Sequence, residues 1–351
     1  MLLIALFLAF GAVMGCGESQ SQTLATYGGR GRVAHRSQVS SEGPFRFFSP
    51  TSFWNRPIPA HARLDHSSAA MVGALDEGVA KEGETGKASA NIVTTTWSVP
   101  IYTVPADQPT VTVRLAGASP TSPLQSAWAA VPLPPSAQPA GGTDKHLVVW
   151  QPSTDRLWEF WRLEQTPTGW QAAWGGAMQD VSSDLGVYER HAWPGAKRSW
   201  GASASSLSIV GGLITLEDLE RGQINHALAI GVPNVLAGTY AAPAQRTDGQ
   251  STDPLSLPEG AHLRLNPHLD LASLHLPRLT LMIAKAAQRY GIFVRDRASS
   301  VTFYAQDPIS TGTEPYTGTH GYFEGKTPAQ LLASFPWRHL QLLKMSLHRT
   351  T

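Results

Sequence analysis

Apolar residues run through positions 207–210, stop at Gly211-Gly212 and resume at Leu213-Ile214. A short apolar run bounded by glycine reads as a buried strand. Thr215 follows, with Asp218 three residues on, an N-cap and its reciprocal acid. A short helix is therefore expected after Thr215, ending at Gly222, where glycine accepts the left-handed backbone. Residues 223–232 then alternate. Ile224, His226, Leu228, Ile230 and Val232 share one face, and Asn225, Ala227, Ala229 and Gly231 share the other. A strand with one large apolar face and one small face belongs in the middle of a sheet, covered on both sides.

The same reading extends along the chain. Residues 146–151, 156–165 and 170–174 read as strands joined by turns, an antiparallel meander. On its middle strand Leu157, Glu159, Trp161 and Leu163 share a face, which sets the Glu159 carboxylate among apolar neighbours. Residues 92–97, 100–104, 110–115 and 263–265 add strands, and 292–296 with 301–307 read as a hairpin. Helices are expected from Asp65 or Ser67 to about residue 81, from Pro277 to Gly291, and after Thr327-Pro328. Residues 116–143, rich in Pro, Ser and Ala, read as a long surface excursion. Residues 175–206 lack periodicity and read as a functional loop or a packed cover. Strands outnumber helices, and turns link most of them. The expected fold is mainly β: a two-sheet antiparallel sandwich, jelly-roll-like, with a few short peripheral helices.

The first residues change the picture of where the protein works. Residues 2–14 are apolar, but a membrane span needs about 20 residues. The stretch closes with Val13-Met14-Gly15-Cys16, which resembles a bacterial lipobox. Cys16 is the only cysteine, so the mature body has no intramolecular disulfide and no cysteine metal site. The expected organisation is a lipoprotein signal peptide at 1–15, a disordered tether at 16–44 and a single β-rich domain at 45–351. Such a protein is extracytoplasmic and meets the membrane only through lipid on Cys16. The net charge is +1 and the basic residues are scattered, which speaks against a nucleic-acid partner. No phosphate-loop, hydrolase-elbow or dinucleotide motif is present, and no metal or other cofactor is implied. A monomer is expected.

Candidate chemistry comes from polar groups set against the apolar pattern. There are 11 Trp against 8 Tyr, and Trp rings at the surface of an extracytoplasmic protein offer platforms for sugars. Trp193, Trp200 and His191, on the aperiodic stretch, are the candidates for binding a polysaccharide or cell-wall glycan. His226 is either a hydrogen-bonded core histidine or an acid or base in a groove. Glu159 is either paired or held protonated. Arg246 and Asp248 either pair across a turn or face a ligand, where Arg246 would neutralise a sugar carboxylate.

Two fragments resemble jelly-roll polysaccharide lyases of the alginate-lyase type. Arg156-Leu-Trp-Glu159-Phe-Trp-Arg162 is similar to their Arg-x-Glu-x-Arg strand, and Gln223-Ile-Asn-His226 to their Gln-Ile-His strand. The spacing here is three where theirs is two, so Glu159 lies on the face opposite Arg156 and Arg162. The chain as a whole resembles a family of secreted bacterial lipoproteins of unassigned activity. These resemblances imply a carbohydrate-active protein. As a lyase it would use His226 as base, Arg246 as neutraliser and Tyr188 or Tyr304 as acid. As a glycoside hydrolase it would pair Glu159 with Asp248. The alternative is a non-catalytic glycan-binding or envelope lipoprotein.

Overall fold

A sheet of six strands carries the region around Leu228–Val232. In the computed structural model, which describes residues 46–84, 90–119, 121–318 and 320–350, this strand lies third in the sheet. The order is Ala90–Val93, Val301–Tyr304, Leu228–Val232, Ile292–Arg297, His262–Leu265 and Leu340–Leu342. The alternation read from the sequence sorts its two faces. Leu228, Ile230 and Val232 enter an apolar cluster with Met71 of the helix Ser68–Glu84, Ile283 of the helix Arg278–Arg289 and Leu331 of the helix Pro328–Leu332. Ala227 and Ala229 enter a second cluster, shared with the neighbouring sheet. Each fully buried Leu or Ile contributes about 1.5–3 kcal/mol, so this central strand anchors both cores.

The expected hairpin at 292–307 does not form. Ile292–Arg297 runs parallel to Leu228–Val232 on one side, and Val301–Tyr304 runs antiparallel on the other. The central strand, apolar or small on both faces, takes the place between them and satisfies its backbone on both edges. Pairing slips by one residue between Val294 and Asp296. Arg295 is the extra residue of this bulge, and its side chain is fully buried.

A second sheet has five strands, in the order Gln306–Asp307, Val99–Thr103, Leu147–Gln151, Arg156–Trp161 and Trp174–Met178. Its first three strands are parallel and its last three antiparallel. The strand expected at 156–165 ends at Trp161, because Arg162 takes a left-handed backbone, φ 54°. The chain then enters a three-stranded sheet of Arg114–Leu115, Gly169–Ala172 and Glu164–Thr166. Another three-stranded sheet joins Leu257–Glu259, Val235–Ala241 and Leu347–Arg349. Strand exceeds helix, 28% against 19%, so the fold is mainly β with few helices.

Residues 116–119 and 121–143 stay within the one compact unit, partly exposed and partly packed into the core. Leu124, Trp128, Val131 and Leu133 are buried, and the short helix Pro123–Ala127 is capped by Ser122. Proline has no backbone donor, so an irregular Pro-rich segment can be buried with fewer unpaired N–H groups. The described residues lie in one compact unit, and no helix among them is long and apolar enough to cross a membrane. Cys16, the lipobox and the tether at 16–44 fall outside the described residues.

Candidate functional site

The apolar run at 207–210 makes no strand. It belongs to an irregular buried loop, residues 201–211, whose backbone is held by charged side chains from both large sheets. Glu159, fully buried on the five-stranded sheet, accepts from the Ala202 N–H at 2.7 Å, the Ser208 hydroxyl at 2.7 Å and the Ile209 N–H at 3.0 Å. Arg295, on the six-stranded sheet, donates from Nη1 to the carbonyls of Ile209 at 2.9 Å and Gly211 at 3.3 Å. Its Nε meets Asp296 at 3.0 Å, and Asp296 accepts from the Ala204 N–H at 2.7 Å. Arg246 donates to the carbonyls of Gly201 at 3.1 Å and Ser203 at 2.7 Å. His146 sets Nε2 3.3 Å from the Ala202 carbonyl. A buried peptide group without a partner is costly, and here side chains do what a neighbouring strand would otherwise do.

The structure thus brings three of the sequence candidates, Glu159, Tyr188 and Arg246, to one loop. The Tyr188 ring lies where Cβ atoms on Gly176 and Gly201 would crowd it. Its hydroxyl stands beside Glu159 and Ser208, and burial together with the Glu159 charge raises its pKa well above the usual value. Burial raises the Glu159 pKa, and the three hydrogen bonds oppose that shift. Burial lowers the His146 pKa. Asp248 is exposed, 3.8 Å from Arg297. Its N–H donates to Glu259 at 3.1 Å, and burial pushes the Glu259 carboxyl up to about 9. Asp248 is therefore ion-paired with Arg297, while Arg246 bonds carbonyls.

His226 stands apart, and it precedes the strand instead of lying within it. Its Nδ1 is 2.8 Å from the Ala227 carbonyl and its Nε2 is 3.0 Å from Asp218 Oδ2. Both partners are acceptors, which favours the protonated ring. The same carboxylate oxygen accepts from the Thr215 N–H at 2.9 Å and hydroxyl at 2.7 Å, which completes the capping box. Burial pulls the His226 pKa down, but the Asp218 charge, the hydrogen bond to Asp218 and the one to Ala227 together outweigh it, and the net shift is upward. Asp218 shifts downward, with His226 overcoming its burial.

The helix that this pair fastens, Leu216–Arg221, walls an open groove of about 990 Å³. Phe47, Trp150 and Tyr322 lie buried in its floor, and Thr103, Thr311 and Thr313 bring hydroxyls. Phe47 and Trp150 meet edge to face at 5.6 Å. Arg221 gives Nε and Nη2 to one Glu217 oxygen, at 2.9 and 2.6 Å.

The remaining candidates lie away from the groove. Trp200 is 2% exposed and belongs to the core. Trp193 is half-buried against Trp158 at 5.9 Å, with the Arg156 guanidinium 5.4 Å over its ring. His191 is exposed and its Nε2 meets Asp184 at 3.0 Å. Tyr304 is buried beneath Arg295, 4.0 Å from the guanidinium. Sequence reasoning passed over His146, Arg295 and Asp296, which reach the loop only because of a bulge and a sheet pairing. It also passed over the groove residues. Phe47 precedes every element read from the sequence, and Trp150 and Arg278 sat in an ordinary strand and helix. Among the described residues no three His, Cys, Asp or Glu side chains gather as metal ligands.

Compared with protein-family models, the chain matches none, and neither a curated protein nor a solved structure matches it.

Proposed function

We propose that this protein is a cell-surface carbohydrate-binding protein that holds an extended polysaccharide in the groove beside Leu216–Arg221. The observation that carries this reading is the groove itself. It is open, at about 990 Å³ it has room for several sugar units, and it combines hydroxyl, amide and charged groups over a buried aromatic floor. Sugars carry hydroxyls along their whole length, so a groove lined with hydroxyl, amide and charged groups suits them. Lipid on Cys16 would tether the protein to the membrane as a monomer outside the cytoplasm.

Binding has more support than catalysis. Glu159 and Tyr188 have no exposed surface, and Arg246 is occupied by the loop. A glycoside hydrolase needs two carboxylates flanking the scissile bond. The acids lining the groove, Glu217 and Glu220, come from one short helix on one wall. For the fold, we propose that the two large sheets are the layers of a jelly-roll-like sandwich. In support, Ala229 and Phe293 of one share an apolar cluster with Leu147 and Phe160 of the other.

The test is affinity electrophoresis of the soluble domain through gels containing single polysaccharides. At least one should retard the protein, and Thr313→Trp, at an exposed lining position, should restore free mobility. Digests should show no new reducing ends and no unsaturated products. Retardation by none of the polysaccharides, or equal retardation of Thr313→Trp, would remove the groove as a glycan site.

A further inference from the structure

One guanidinium in the groove differs from its neighbour. Arg221 is neutralised by Glu217 on the same helix. Arg278, the first residue of the helix Arg278–Arg289, also lines the groove, and no carboxylate among the described residues pairs with its guanidinium. The acid beside it, Glu324, is held down in pKa by Lys326 and by Arg278, but no oxygen of it contacts the Arg278 guanidinium. Glu324 accepts the Arg278 backbone N–H at 3.1 Å through Oε1 and meets Lys326 at 3.0 Å through Oε2.

Arg278 is also held in place. Its guanidinium carbon lies 4.2 Å over the Tyr322 ring, and Nη2 donates to the Tyr322 hydroxyl at 2.6 Å. That hydroxyl in turn donates to the Leu219 carbonyl, on the helix that walls the groove. Tyr322 is buried, so the relay is anchored in the core. The Nε and Nη1 hydrogens are left for a ligand. An exposed ion pair contributes little when two long side chains must both be ordered. Here the cation is ordered in advance, and a charge-assisted hydrogen bond to a carboxylate keeps more of its strength.

We propose that Arg278 makes the groove selective for polysaccharides that carry carboxylates. The inference rests on the groove being the glycan site. It gives Arg278 the neutralising role that the sequence pointed to at Arg246, whose Nη2 is spent on Gly201 and Ser203. Glu220 lines the same groove, is exposed, and pairs with no cation among the described residues. It repels a carboxylate placed beside it. Arg278 and Glu220 together fix where along the groove an acidic sugar sits, which sets register as well as affinity.

The experiment uses three polymers: polygalacturonate, the same backbone with its carboxylates methyl-esterified, and dextran sulfate. Affinities are measured for the wild type, Arg278→Gln, Arg278→Lys and Glu220→Gln, with thermal melts confirming that each variant is folded. Arg278→Gln should weaken polygalacturonate binding by about tenfold or more and leave the ester unchanged. Arg278→Lys should fall between, since it keeps the charge without the planar stack, and Glu220→Gln should tighten binding of polygalacturonate. The inference fails if Arg278→Gln binds polygalacturonate like the wild type, or loses both polymers equally. It also fails if dextran sulfate binds best and loses as much on Arg278→Gln, because the site would then read charge alone. If only the neutral ester binds, selectivity is wrong and the glycan groove stands. If no polysaccharide binds, both fail.

Discussion

Glu159 shows what a carboxylate does when it is placed against an apolar pattern. Its oxygens accept three hydrogen bonds from the 201–211 loop and reach no solvent. Glu159→Gln keeps the shape but turns an amide N–H₂ toward donors, so it should cost about 1–3 kcal/mol in urea unfolding. A catalytic Glu159 would show the opposite pattern, with unchanged stability and lost turnover. His226 has a different signature. Its folded pKa is raised, so the stability it contributes is fully present below the unfolded value of about 6.5. That contribution is lost as pH rises through the folded pKa. The gap in stability between the wild type and His226→Gln should therefore be widest near pH 6 and shrink toward pH 9. Asp218, shifted downward, contributes above its unfolded pKa, and its contribution falls away in acid. A gap that stays constant across this range would mean the His226 pKa is the same in the folded and unfolded states.

Elements were legible where their signals are local. The capping boxes at Thr215 with Asp218 and Thr327 with Gln330 form, because each is closed within four residues. Gly222 ends its helix at φ 67° for the same reason. The two faces of Leu228–Val232 could be read from alternation alone. Strand partners could not. Residues 292–297 and 301–304 are near in sequence, yet each prefers the more apolar strand between them. The loop at 201–211 has the apolar content of a strand because it is buried like one, and composition records burial, not pairing. Gly212 shows how closely this loop meets the sheet. It has φ 72°, and a Cβ there would collide with the backbone of Leu228 and Ala229. Gly212→Ala should cost roughly 1–2 kcal/mol for the left-handed backbone alone, with the collision adding to it. A melting temperature equal to wild type would show that the loop yields there.

At the scale of the molecule, the candidate site was partly legible. Some residues that carry charge into the interior stood out in the sequence, as Glu159 did by breaking an apolar pattern, while Arg295 and His146 did not. Glu159, Tyr188 and Arg246 do converge, but around a structural loop. The groove left no such mark. Its walls come from residues 47, 103, 150, 278, 311, 313, 315 and 322 and from the helix Leu216–Arg221, which only the tertiary fold brings together. Each position obeys its local pattern, so nothing in any one stretch points to it. A charged interior thus braces the two sheets, and the open groove is the proposed place for a ligand.

Amide hydrogen exchange with and without a bound polysaccharide tests that separation most directly. The polymer used is whichever one retards the protein in affinity electrophoresis. Binding in the groove should slow exchange at residues 215–222 and 311–323 and leave the 201–211 loop unchanged. Slowed exchange centred on 201–211, with the groove segments unaffected, would contradict the account and return the site to Glu159, Tyr188 and Arg246.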